Sequence, residues 1–115
     1  MKINVTSVDH APPELESQTP FQLELLKKIP GSDRPDYWLA VAAQPIRWLR
    51  EGREMQVTHI IVSARWQGTQ IESGMGQIPI GIAYVTDNSV VNDSFLDFKK
   101  CAYVAIGSAE ELPII

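Results

Sequence analysis

Apolar and polar residues alternate in short runs along most of this chain, and clusters of proline and glycine separate the runs. Ile3 and Val5 alternate with Lys2, Asn4 and Thr6, which predicts a first strand over residues 1–8. Residues 9–20 lose all periodicity and hold three prolines and three acids, so they read as a long exposed connection. Residues 21–29 fit two elements. Thr19 as cap, Pro20 at the first position, Gln22 in a capping box and Lys27-Lys28 in the last turn favour a helix. The alternation of Phe21, Leu23 and Leu25 with Gln22 and Glu24 favours a strand. The helix is slightly preferred and the strand stays open.

The strongest pattern lies in residues 37–66. Folded as one hairpin about Glu51-Gly52, Arg50 faces Arg53, while Trp48 with Met55 and Ile46 with Val57 share one face. The same register places Ala43 with Ile60, Val41 with Val62, Leu39 with Ala64 and Tyr37 with Trp66 on the opposite face. A strand that turns a corner with a bulge at Pro45 would change faces in this way. The Val41–Val62 contact is the pair on which this ribbon depends. The competing reading is a helix over residues 36–43, capped by Asp36 and stopped by Pro45.

Gln67 to Gln70 makes a turn, and Ser73-Gly74-Met75-Gly76 a flexible loop. Ile78 to Val85 reads as a strand with Ile78, Ile80, Ile82 and Tyr84 on one face and Gly81 and Ala83 on the other. Pro79 suggests that it begins at a sheet edge. Asn92-Asp93-Ser94 is expected to cap one helical turn through Phe95, Leu96 and Phe98. Cys101 to Gly107 is the last strand, with Val104 and Ile106 opposite Tyr103 and Ala105. The tail Pro113-Ile114-Ile115 is apolar and needs a place to dock. These elements predict an α+β class, predominantly antiparallel β. The expected shape is a strongly bent sheet or small open barrel with one or two short helices, as a single domain over residues 1–115.

Composition narrows the function classes. With 115 residues and 44% of them hydrophobic, the chain can build a core without disulfide or metal. Asp plus Glu number 14 against 10 Lys plus Arg, and the net charge of −4 resides in residues 67–115. An acidic balance lacks the basic face of a nucleic-acid reader, so no nucleic-acid partner is expected. A lone Cys101 gives no disulfide framework, Met1 to Val5 opens no signal-peptide core, and the longest apolar run falls short of a membrane span. The expectation is a soluble, cytoplasmic protein without membrane contact.

Candidate chemistry is sparse. His59, opposite Gln44 in the proposed register, is the one histidine placed to act as a base or to orient a ligand. His10 beside Asp9 lacks companions at metal-ligand spacing, so neither metal nor other cofactor is expected. Cys101 follows Lys99-Lys100, which would favour thiolate, yet it opens an apolar strand where cysteine acts as a small hydrophobe. The glycines of residues 74–81 match neither phosphate-binding nor dinucleotide-binding fingerprints. Arg47, Arg50 and Arg53 gather at the hairpin tip, and Arg65 would stack on Trp38.

Trp38, Trp48, Trp66 and Tyr37 crowd a hairpin that is apolar on both faces, more than one small sheet can cover. The first functional expectation is therefore a non-enzymatic module that binds a protein partner or itself, as a homodimer, through this aromatic face. The alternative is a small-ligand pocket lined by His59, Arg65, Trp38 and Tyr84. An enzyme using His59 ranks below both.

Overall fold

A computed structural model describes residues 1–9, 13–50, 52–74 and 76–112, without the side chains of Arg50 and Tyr103. His10, the turn residue Glu51, Met75 and the tail 113–115 lie outside the described residues, and so do the expectations attached to them. Six strands succeed one another as an antiparallel meander: β1 (Lys2–Asp9), β2 (Phe21–Lys28), β3 (Trp38–Arg50), β4 (Arg53–Ala64), β5 (Gln77–Val85) and β6 (Cys101–Glu111). β6 returns to pair with β1 and closes a barrel.

Closure corrects the expected bent sheet or open barrel. An open sheet leaves two rows of unpaired backbone groups, and closure removes both. Among the described residues the helical content is one α-helical turn, α1 (Pro13–Glu16), and two 3-10 turns, Asn88–Asn92 and Phe98–Lys100, so the architecture is mostly β rather than α+β. No described helix is long and apolar enough to cross a membrane.

Residues 21–28 form a strand, against the preferred helix. Leu23 and Leu25 point into the core, and Glu24 lies opposite Lys2 of β1 and Val41 of β3. A helix there would leave β1 and β3 each with one unpaired edge and the barrel open, so pairing on both sides overrides the capping signals. The supposed exposed connection 9–20 contains α1, whose Leu15 is fully buried in the core. Four residues are too few to register as a helical period.

The β3–β4 hairpin exists, and near its tip the predicted register holds: Arg50–Arg53, Trp48–Met55 and Ile46–Val57 are partners. The helix over residues 36–43 is thereby excluded. Beyond Ile46 the register shifts, and Trp38, Leu39, Ala40 and Val41 lie opposite Val62, Ile61, Ile60 and His59. Val41 and Val62 are therefore not partners, nor are Ala43 and Ile60, Leu39 and Ala64, or Tyr37 and Trp66. Residues 42–45 bulge out of the ladder as one block, a larger irregularity than the single-residue bulge expected at Pro45. The shift is an odd number of residues, so it exchanges the faces. Ile60, Val62 and Ala64 point inward with Ala40, while Leu39 and Ile61 point outward.

Two apolar layers result. The barrel interior is filled by Ile3, Val5, Leu23, Trp48, Ile60 and the Ile78, Ile80, Ile82 and Tyr84 row of β5, with Leu15 packed among them. On the outside, residues 86–100 form a strap whose Val90 and Leu96 bury Ile29, Leu39 and Ile61. Lys27 Nζ donates to the carbonyls of Val91 (2.6 Å) and Asp93 (3.0 Å), and Leu96 N–H donates to Pro30 O (2.8 Å). The strap's 3-10 turns are capped by Asp87 and Asp97, which accept from Ser89 and Lys99 N–H. The expected capping residues 92–94 start neither turn: Asn92 ends the first and Asp93 is its C-cap, donating its N–H to Val90 O. β5 is paired on both sides, and Pro79 only precedes its first β4 partner, Ile80, so it marks no sheet edge.

Candidate functional site

β6 has an inverted pattern. Ala105, Gly107 and Ala109 face the interior, which Trp48 and the β5 isoleucines already fill, while Val104 faces out and is 66% exposed. Leu39, Ile61, Ala83 and Val104 are consecutive partners across β3, β4, β5 and β6. The strap covers the first two and stops short of Val104. Its edge leaves a groove of about 240 Å³, floored by Ile61, Ala83 and Leu96 and walled by Tyr37, Phe98 and Val104. Phe98 is 45% exposed and the neighbouring Phe95 55%.

The groove wall is positioned from the 29–37 loop. Tyr37 and Phe98 meet edge to face, with centroids 5.8 Å apart. Gly31 lies against both rings, and a Cβ there would sit 2.7 Å from Tyr37 Cε2. Tyr37 donates to Asp33 Oδ2 (2.9 Å), and burial together with that carboxylate pushes its pKa up to about 12. Behind it, Arg34 grips Asp36 through two bonds, Nε–Oδ1 at 2.5 Å and Nη2–Oδ2 at 2.6 Å. That fork holds the Asp36 carboxyl below its ordinary range. Cys101 also lines the groove, and burial pushes its thiol up, with Asp97 adding to the shift. This direction fits the small-hydrophobe reading of Cys101 rather than the thiolate that Lys99 and Lys100 would favour.

The residues singled out from the sequence scatter. Trp48 is fully buried and packs at 5.0 Å on Tyr84, itself 3% exposed, so both belong to the barrel core and neither faces solvent. Trp38 is half-buried under Lys28 Nζ (5.4 Å), not Arg65. Arg65 lies instead over Trp66, 4.9 Å from its ring, beyond the end of β4. His59 lies opposite Val41, not Gln44, and its Nδ1 is 3.1 Å from Thr58 Oγ1. His59, Arg65, Trp38 and Tyr84 share none of the three clefts described. Of the arginines, Arg53 is exposed at the hairpin tip, and Arg47 lines a different cleft.

That cleft, of about 650 Å³, opens between β2 and β3, and its walls mix polar side chains such as Asn4, Gln22 and Gln44 with apolar ones such as Phe21 and Pro45. A third, of about 260 Å³, lies between the Arg34–Asp36 loop and the Gln67–Gln70 turn. Among the described residues, no group of three or more His, Cys, Asp or Glu could hold a metal ion. The groove residues Phe98 and Val104 went unnoticed in the sequence. Their signal was the run Val104-Ala105-Ile106-Gly107, with its large residues on the side opposite the small ones. No family model, curated protein or solved structure matches this chain.

Proposed function

We propose that this protein is a non-catalytic binding module that seats an apolar side chain of a partner protein in the outer groove between the strap and β6. The observation behind this reading is the exposure of Phe98 (45%) and Val104 (66%) as the walls of a groove with an apolar floor. Exposed apolar groups gathered at one concavity mark association surfaces, and aromatic anchors dominate such contacts. The strap contributes Asp87, Asp93 and Asp97 against Lys99 and Lys100, and Lys100 is engaged by Asp93 at 2.6 Å. This charge favours a basic partner over a second, equally acidic copy.

The capped peptides acetyl-KKWKK-amide and acetyl-EEWEE-amide test the reading by amide NMR titration. The lysine peptide is expected to move the signals of Ala83, Leu96, Phe98 and Val104, and to lose this effect in Phe98→Ser and Val104→Ser. Equal response to the glutamate peptide, shifts on another face, or a dimer by light scattering that dissociates in Val104→Ser would overturn it.

A further inference from the structure

The β2–β3 seam is incomplete. Its ladder runs from Lys28–Trp38 to Leu23–Ala42 and stops there, while Phe21 and Gln22 remain paired to Val5 and Asn4 of β1. On the β3 side, residues 43–45 lie outside both ladders, and Ala43, Gln44 and Pro45 are exposed. Pro45 explains the break, since it has no N–H to offer a neighbouring strand. The 650 Å³ cleft fills the gap, lined by Asn4, Gln18, Phe21, Gln22, Gln44 and Arg47 among others.

Gln18, just beyond α1, shows what the gap accepts. Arg47 N–H donates to Gln18 Oε1 (2.8 Å), and Gln18 Nε2 donates to Arg47 O (2.6 Å). A residue in a hydrogen-bonded antiparallel pair makes this same two-point contact with the residue opposite. The side-chain amide thus stands in for one peptide group of an absent strand, while Nε2 is also bonded to Glu14 O (2.6 Å).

We infer that the open seam is a second binding site, which takes an extended polypeptide segment by strand addition along residues 43–47, displacing the Gln18 amide. The five-residue stretch spans about 15 Å of extended chain. The stretch presents the N–H and C=O of Arg47 and the carbonyl alone at Pro45. Main-chain bonding makes the site tolerant of sequence. Among the described lining residues Arg47 is the one that is charged, so a carboxylate on the incoming segment is preferred. This site is independent of the outer groove.

The test uses the whole chain and the capped pentapeptide acetyl-TVEVT-amide, with a version N-methylated at its central residues and acetyl-TVKVT-amide for comparison. Amide NMR is expected to show shifts at Ala43, Gln44 and Arg47 and at the Gln18 side-chain NH2. The N-methylated peptide should bind at least tenfold more weakly, and the lysine peptide several-fold more weakly. Gln18→Ala, which removes the placeholder, should bind the glutamate peptide several-fold more tightly. Shifts confined to the Phe98 groove, equal binding of the N-methylated peptide, or no shift at millimolar peptide would overturn the assignment. The peptide comparison decides the matter in the natural chain even if Gln18→Ala fails to fold.

Discussion

Asp36 is the residue at which local chemistry has the widest reach. It is a carboxylate only 7% exposed, held by the Arg34 fork behind Tyr37, and Arg34 Nη2 also reaches Trp66 O (3.3 Å). Removing one partner of a buried ion pair strands the other charge, so Asp36→Asn should destabilise the protein by about 3 kcal/mol near neutral pH. The sign of the pH dependence comes from the lowered folded pKa. The stabilisation is complete above the unfolded value near 3.8 and is lost as the pH falls through the lower folded value. Urea unfolding of both chains should show a gap near neutral pH that narrows in strong acid. A gap independent of pH would mean that Asp36 acts by shape rather than charge. The sequence Asp33-Arg34-Pro35-Asp36 offered two possible acids for Arg34, and only the loop path selected between them.

At the scale of elements, the strap is the part that the sequence described least well. Its two 3-10 turns are too short for periodicity, and it is held to the barrel by long-range contacts such as Lys27 Nζ on Val91 and Asp93 carbonyls. Those contacts join residues over 60 positions apart. Lys27→Met keeps the aliphatic stem and removes the donors, at a cost of about 2 kcal/mol for hydrogen bonds from a charged group. Hydrogen exchange should accelerate across residues 86–100, while the amides of Ile60 to Val62, inside the barrel ladders, stay protected. Uniform acceleration in both would show that strap and barrel open together. The hairpin tip was legible because Trp48–Met55 and Ile46–Val57 are apolar pairs next to a glycine turn, where few registers compete. Past the 42–45 bulge, Leu39 meets an apolar partner in either register, Ala64 in the predicted one and Ile61 in the observed one, and β2 and β5 on the flanks made the choice.

At the scale of the whole molecule, closure depends on how near β1 and β6 can approach. Gly107 lies opposite Val8 beside the β1 irregularity, and a Cβ there would overlap the Ser7 carbonyl. Gly81, within β5, has only Ser63 Oγ at 3.7 Å and Ala105 O at 4.0 Å near its missing Cβ. Gly107→Ala should therefore cost about 3 kcal/mol through a forced backbone shift, and Gly81→Ala should leave stability within about 1 kcal/mol. Thermal unfolding of the two variants checks this contrast, and equal losses would remove the steric account. The two proposed surfaces also belong to this scale. The outer groove exists because the strap ends before Val104, and the seam exists because β3 bends away from β2.

By itself the sequence determined β1, β5, β6, the β3–β4 hairpin tip and the buried β5 isoleucine row. Each rests on alternation between near neighbours, which needs no knowledge of the rest of the chain. Tertiary structure alone decided that residues 21–28 are a strand, that the hairpin register shifts beyond Pro45, that Trp48 and Tyr84 are enclosed, and that Phe98 and Val104 remain outside. These outcomes depend on which backbone edges find partners and which side chains compete for one interior. That competition is settled only when β6 meets β1, across the full length of the polypeptide.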